Sequence, residues 1–437
     1  MNKTKLSTSA WLTIILFGLI GQIAWAIENM EFNLFLFNAI GGTTRDIARM
    51  VAYSALVSTI ATLVMGIISD KIGRRRYFLC VGYIIWGIMT MCFAFISREN
   101  TAKLFPHLSS AEILARTAFF VVFMDCIMSL FGSIANDASF NAWITETTDE
   151  SNRGTVEGVL NVFPLLAMLI VAGASGIIVD AIGWSSFFIV MGFIVSICGV
   201  LGLLFVKEPE HKHATEKMNF LESILYGFKP SVIKKYKMFY LSLAAICIFN
   251  ISVQIFMPYL LIYLEKTLQF DTVTYSLVMA IVILSASIIS IFFGRLLDKI
   301  GKERMYRITL FIYALGLLLA SVMQSPLTFT IAGIIMMSGY VAISIVFMAA
   351  IRDYTPLEYV GMFQGIRLLA YVLIPMVIGP FIGDYLTNNL SSGTYINEYK
   401  EVVNLPVSAI FVVAAIISLL LLIPSQLLFK KEEKEVS

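Results

Sequence analysis

A chain of 437 residues that is 59% hydrophobic, 14% charged and carries a net charge of +2 has far more apolar surface than a water-soluble core can hide. That excludes a soluble globular enzyme, and the near-neutral balance gives no reason to expect a nucleic-acid partner. The five cysteines (Cys80, Cys92, Cys126, Cys198 and Cys247) all lie in apolar stretches and read as small packing residues, not as a disulfide or zinc framework.

Twelve apolar runs fall near 10–40, 47–69, 77–97, 116–143, 156–180, 184–206, 238–264, 273–297, 305–323, 326–350, 361–384 and 404–429. Each is long enough to cross a hydrocarbon core of about 30 Å. Lipid offers no partner to an unpaired backbone group, so the runs are predicted as helices. The first lacks a small-residue cleavage site and is expected to be retained.

An ionisable or amide side chain inside such a run must face a cavity or a partner. In the first run Gln22, Asn29 and Asn33 fall within about 20–40° of one another on a helix, a single polar stripe. Trp25 and Glu28 lie beside it, a grouping that suits a sugar: a ring face to stack on and hydrogen bonds for hydroxyls. Glu31 is expected nearer the outer water. In the fourth run Asp125, Ser129, Gly132 and Asn136 share a face, whereas regular helix geometry turns Asp137 about 120° away from Asp125. Desolvation penalises a bare carboxylate, so Glu28, Asp125 and Asp137 are candidate carriers of a coupling cation, either H⁺ or Na⁺. Asp137 could instead pair with Asn141. In the second half Asn250 and Gln254 stand one turn apart before Pro258, and Arg367 and Tyr371 share a face of the eleventh run with Gln364. Arg367 calls for an internal acid or an anionic substrate group. Acids thus gather in the first half and amides plus Arg367 in the second.

Residues 207–237 form the one long, polar connection, dividing an N-terminal bundle (1–206) from a C-terminal one (238–437). With the N-terminus inside, 22 of the 31 lysines and arginines fall in inner segments and seven in outer ones. The positive-inside rule then puts both termini in the cytoplasm of a plasma (inner) membrane protein. Gly66-Ile-Ile-Ser-Asp-Lys-Ile-Gly73 returns as Gly294-Arg-Leu-Leu-Asp-Lys-Ile-Gly301, and Arg76 and Arg304 extend the match. Gly154-Thr-Val-Glu-Gly158 likewise returns as Gly361-Met-Phe-Gln-Gly365. Gly176-Ile-Ile-Val-Asp-Ala-Ile-Gly183 echoes the first motif on the opposite side, as an inverted three-helix repeat would. The chain carries no phosphate-binding Gly-x-x-x-x-Gly-Lys-Ser/Thr loop, and its three histidines are not placed to bind metal.

Two six-span halves, a central loop and Gly66-x-x-x-Asp70-Lys-x-Gly73-Arg74-Arg-Arg76, repeated at Gly294, Asp298, Gly301 and Arg304, resemble the major facilitator superfamily. The resemblance implies an all-α fold of two pseudo-symmetric six-helix bundles and a loop motif that biases alternating access. Gly21-Gln-Ile-Ala-Trp-Ala-Ile-Glu28, Ser69-Asp70, Gly73-Arg-Arg-Arg76 and Asp125 more narrowly resemble the sucrose/proton symporters and their glycoside–cation relatives. The chain departs from their pattern at Asn136–Trp143. Together these features predict a monomeric secondary transporter with no bound cofactor or metal, importing a sugar or glycoside with H⁺ or Na⁺. A proton-driven exporter of drugs or metabolites is the alternative within transport, and a non-transporting membrane sensor the alternative outside it.

Overall fold

The computed structural model describes residues 6–72, 74–148, 156, 159–160, 162–208, 228–355, 366–391, 393–397 and 399–429. Gly73, Glu157, Gln364 and the Gly154–Gly158 and Gly361–Gly365 repeats lie outside the described residues, apart from Val156. So do the side chains of Gly66, Asp70, Gly294 and Asp298, whose backbones are helical.

Among the described residues eleven helices are long and apolar enough to cross a membrane. They are Thr8–Asn38, Thr44–Met65, Arg75–Phe95, Ser110–Thr147, Phe163–Phe205, Lys237–Thr267, Thr272–Ile289, Ile300–Val322, Pro326–Ile351, Ile366–Leu390 and Ala409–Phe429. The fifth breaks at Gly183, and each side of the break is long enough to span, which gives twelve spans, numbered here in chain order. Their starts are fixed locally. Ser7 accepts from the Ala10 amide, and Ser109 and Glu112 form a reciprocal capping box that starts span 4 at Ser110, six residues before its apolar run. Phe193, Phe292 and Phe311 are more than half exposed, as side chains facing lipid would be.

The break at Gly183 and the one at Gly301 share a conformation, φ 76°, ψ 163° and φ 78°, ψ 164°. Each closes a copy of the same eight-residue motif, so the repeat read from sequence is a repeat of backbone geometry. These angles belong to a region that only glycine occupies freely. A Cβ at either position would meet nothing within 4 Å, so the whole cost of Gly183→Ala or Gly301→Ala is backbone strain, about 1–3 kcal/mol. Thermal unfolding should show that loss at both positions, with no loss when the neighbouring exposed residue Ile182 is changed to alanine.

The chain divides into two compact units, Met1–Glu216 with Ile396–Val403, and Lys217–Tyr395 with Asn404–Ser437. In the first unit Arg75 at the start of span 3 is buried and pairs with Glu146 at the end of span 4 (2.8 Å). Arg76 donates to the Leu203 carbonyl, while Arg74 is exposed beside the Tyr77 ring. In the second unit Lys302 and Asp353 make the matching pair between spans 9 and 10. There the helix of span 7 gives way at Pro258 to a tight turn, Met257–Tyr259, because proline removes an amide and clashes with the preceding turn. Tyr259 then donates to Pro380 O (2.6 Å) and Ser252 to Ala414 O (2.7 Å), fastening span 7 to spans 11 and 12.

Between spans 11 and 12 the strands Thr394–Ile396 and Val402–Asn404 form a small hairpin. Its tip, 396–403, belongs to the first unit. Arg98 holds it: Nε donates to Ile40 O (2.6 Å), and Nη1 and Nη2 donate to the two Glu401 oxygens (3.0 and 2.5 Å). The guanidinium also lies 3.6 Å from the Tyr399 ring centre, and Tyr399 donates to Ala39 O (2.8 Å). The hydrogen bonds from Arg98 hold the Glu401 carboxyl below its ordinary range. A depressed carboxylate contributes stability at every pH above its unfolded value of about 4.3, and that contribution fades as pH falls through the lower folded value. Hydrogen exchange of the hairpin amides should therefore be level from neutral pH down to about 4.3 once corrected for intrinsic rates, and should rise only below it.

Candidate functional site

The polar interior of the first unit is assembled from spans 1 to 4. Glu28 of span 1 and Asp125 of span 4 are both buried (8% and 1% exposed) and close enough to act on each other electrostatically. The Ser129 hydroxyl, one turn below Asp125, donates to Glu28 Oε1 (2.7 Å). Ser54 of span 2 stands beside the Asp125 carboxyl. Glu28 Oε2 and Asp125 Oδ1 have no hydrogen-bond partner among the described residues, and neither have the donors Trp25 Nε1, Trp86 Nε1 and Asn136 Nδ2. The two indoles are neighbours, with ring centres 5.1 Å apart, and Gly132 packs against both. Gly21 packs against the Asn136 amide and Tyr83 so closely that a Cβ would collide with them. That contact, together with the Tyr83 bond to Phe17 O (2.7 Å), sets spans 1, 3 and 4 at their separation. Leaving buried donors and acceptors unpaired costs roughly 1–3 kcal/mol each, so a group of five marks a place built to receive polar atoms from elsewhere.

Several predicted residues fall here: Trp25, Glu28, Asp125 and Asn136. Two other amides of the span 1 stripe donate to their own helix, and Asn33, buried, keeps its Oδ1 without a partner among the described residues. Asn29 is exposed and donates to Trp25 O (2.7 Å), and Asn33 donates to Asn29 O (2.8 Å). Gln22 is half-buried. Glu31, expected near the outer water, is 1% exposed and accepts from Ser175 of span 5. The distance along the helix suggested solvent, but packing by span 5 covers it.

Asp137 also departs from expectation. Residues Ser133–Phe140 form a π-helical segment, and its wider i→i+5 turn rotates each residue less than an α-helix does. Asp137 lies one turn beyond Ser133, which donates to Asp137 Oδ2 (3.1 Å), and the π-helical turn lessens its rotation away from the Asp125 face. Asn141 bonds the Asp137 backbone carbonyl (2.9 Å), not its carboxylate. Ser58 of span 2 meets Ser133 at 2.5 Å. Trp86, Ser54, Ser58 and Ser133 escaped the sequence reading, although the fourfold spacing of residues 125, 129, 133 and 137 is visible in the chain.

In the second unit Asn250 donates to Tyr371 O (3.0 Å), a carbonyl in the π-helical turn Leu369–Leu373. Arg367 lies 5.8 Å from the Tyr371 ring centre. Gln254 is half-buried and sits against Gly379. Span 7 and span 11 thus bring Asn250, Arg367 and Tyr371 together.

Comparison with known proteins matches this architecture. Solved structures similar to the chain include the nucleoside transporter NupG (TM-score 0.70, 13% identity, covering 97% of this chain and 100% of that one). A bacterial homologue of the human lysosomal transporter Spinster gives a TM-score of 0.67 at 12% identity, covering 98% of each chain. At these identities the likeness is one of fold. Curated relatives include a putative proline/betaine transporter of Staphylococcus aureus (strain COL), 23% identical over 65% of this chain and 62% of its own length. Another is a homologue of the multi-drug resistance efflux pump PmrA of Lactococcus lactis subsp. lactis, 26% identical over 57% of this chain and 61% of its own. The alignments span about three fifths of these relatives. The sequence model of the Major Facilitator Superfamily matches residues 10–259 and again 241–437, nearly the whole chain. The protein is therefore an integral membrane protein and belongs to the Major Facilitator Superfamily.

Proposed function

We propose that the chain is a proton- or sodium-coupled symporter that imports a sugar or glycoside by alternating access, as a monomer with both termini in the cytoplasm. The observation that carries this reading is the cluster in the first unit: carboxylates Glu28 and Asp125, each with a free oxygen, beside unpartnered donors on Trp25, Trp86 and Asn136. A sugar offers both donors and acceptors to such a set and a ring face to the indoles. The buried acids supply charge that a cation must neutralise before the site can close, because an isolated charge resists desolvation. Binding of cation and solute would then be mutually reinforcing.

The test is uptake of a panel of labelled sugars and glycosides into proteoliposomes with an imposed proton or sodium gradient. Accumulation above equilibrium under one gradient, abolished by an ionophore for that ion, is the expected result. Extrusion of cationic dyes with no sugar uptake would replace this reading by the proton-coupled exporter. A second substrate class has its own support. Paired indoles beside two carboxylates also suit a quaternary ammonium group, and the Staphylococcus aureus relative is named for proline and betaine. Labelled glycine betaine therefore belongs in the same panel.

A further inference from the structure

We propose that spans 2 and 4 carry an oriented hydroxyl ladder that conducts the coupling proton from the Glu28–Asp125 pair to Asp137, at the end of span 4 that the charge pattern assigns to the cytoplasm. The inference rests on the proton-coupled form of the function proposed above.

Span 4 presents Asp125, Ser129, Ser133 and Asp137 at every fourth position, which on a helix places each above the next. Span 2 presents Ser54 and Ser58 at the same spacing. The π-helical segment beginning at Ser133 lessens the rotation of Asp137 away from the Asp125 face. Ser129 and Ser133 are fully buried. Hydrogen bonding gives the lower part of the ladder a direction. A hydroxyl has one proton to donate, and Ser133 gives its proton to Asp137. Ser58 must therefore be the donor in the 2.5 Å Ser58–Ser133 bond. Both bonds point toward Asp137, the order a proton moving that way requires.

The transfer balances atom by atom. The Ser54 hydroxyl donates to Val51 O (3.3 Å), so it turns away from that carbonyl as the proton leaves the Asp125 carboxyl for the Ser54 oxygen, and the proton that Ser54 held passes on. One helical turn, about 6 Å between side chains, separates Ser54 from Ser58, a step that one water molecule spans. Ser58 takes up a proton and releases its own to Ser133, which releases its own to Asp137. Each hydroxyl finishes with one proton; Asp125 becomes the anion and Asp137 the acid. Net charge moves once, and no hydroxyl is left ionised. Among the described residues the other titratable groups facing this column are Glu28 of span 1, Cys126 of span 4 and Tyr83 of span 3, whose own hydroxyl is committed to Phe17 O.

Proton access can be read without any transported solute. In the purified full-length protein, infrared spectroscopy follows the C=O stretch of the buried carboxylic acids as it shifts after transfer to D₂O. Asp125→Asn and Glu28→Gln assign the bands. The ladder predicts that Ser58→Ala, Ser133→Ala and Asp137→Asn each slow deuteration of the Asp125 band by about a hundredfold, the lower end of what a positioned proton-transfer group contributes. Ser133→Thr keeps the hydroxyl and should restore the rate, which a purely structural role for Ser133 would not require. Wild-type exchange in Ser58→Ala and Ser133→Ala would overturn the ladder and leave these serines as fastenings between helices. Loss of gradient-driven uptake is a separate measurement, so the ladder can fail while the symport reading stands. If uptake proves to be driven by sodium alone, the symport reading survives and the ladder falls.

Discussion

Glu28→Gln and Asp125→Asn are each expected to reduce gradient-driven accumulation by about a hundredfold or more, the scale of losing a group that acts only in the coupled step. Both replacements keep shape and hydrogen-bonding capacity while removing the charge. Glu28 would still accept from Ser129, as it does at 2.7 Å, so folding should survive. The amide imitates a permanently neutralised carboxyl. The site could then close on solute without taking up a cation, and would exchange solute across the membrane without concentrating it. Equilibrium exchange of labelled for unlabelled solute should therefore persist in both variants while accumulation disappears. If both variants accumulate solute as the wild type does, these carboxylates are structural and the coupling site lies elsewhere.

Arg98→Ala should release the hairpin between spans 11 and 12. The buried guanidinium binds Ile40 O and both Glu401 oxygens and covers the Tyr399 ring. Hydrogen bonds to charged groups contribute about 1.5–3 kcal/mol each in favourable settings. Glu401 is partly solvated, and solvent screens such a pair. A net loss of about 2 kcal/mol is the reasonable expectation, equal to a factor of roughly 30 in local opening. Amide exchange of residues 394–404 should accelerate by that factor, with little change in the helices that flank them. Glu401→Gln should give a smaller effect, since Arg98 retains Ile40 O and the ring. Unchanged exchange in Arg98→Ala would mean that Tyr399, Asn397 and strand pairing hold the hairpin without the clamp.

Much of the fold could be read in the chain because lipid restricts the choices. Runs of sufficient length had to be helices, and duplicated glycine motifs had to mark equivalent turns. Gly183 and Gly301 bear this out in nearly identical angles. Glu28, Trp25, Asp125 and Asn136 could be found because a polar side chain in an apolar run is conspicuous. The errors have particular causes. Asp137 was misplaced because a helical wheel assumes 100° per residue, and nothing local announces the π-helical turn at Ser133–Phe140. The fold-back of the Asn29 amide on its own helix is set by a side-chain rotamer that a polar stripe does not reveal. Glu31 is covered by Ser175, 144 positions away. Arg98 and Glu401 meet across 303 positions, and both lie in polar loops where a charge needs no explanation. In the motif loop, Arg74 and Arg76 stood out by pattern. Yet the neighbouring Arg75 is the one buried against Glu146, a pairing set by how spans 3 and 4 end and not by the motif.

The central claim is that solute and cation move together through the Glu28–Asp125 site. It is tested most directly by the ion flux that accompanies solute entry. Proteoliposomes loaded with a pH-reporting or sodium-reporting dye, given a solute accepted in the uptake panel and no imposed gradient, should show inward movement of one of the two ions. That signal should vanish in Asp125→Asn while solute exchange continues. Solute entry with neither proton nor sodium following, in the wild-type protein, would contradict coupling and make this chain a passive carrier.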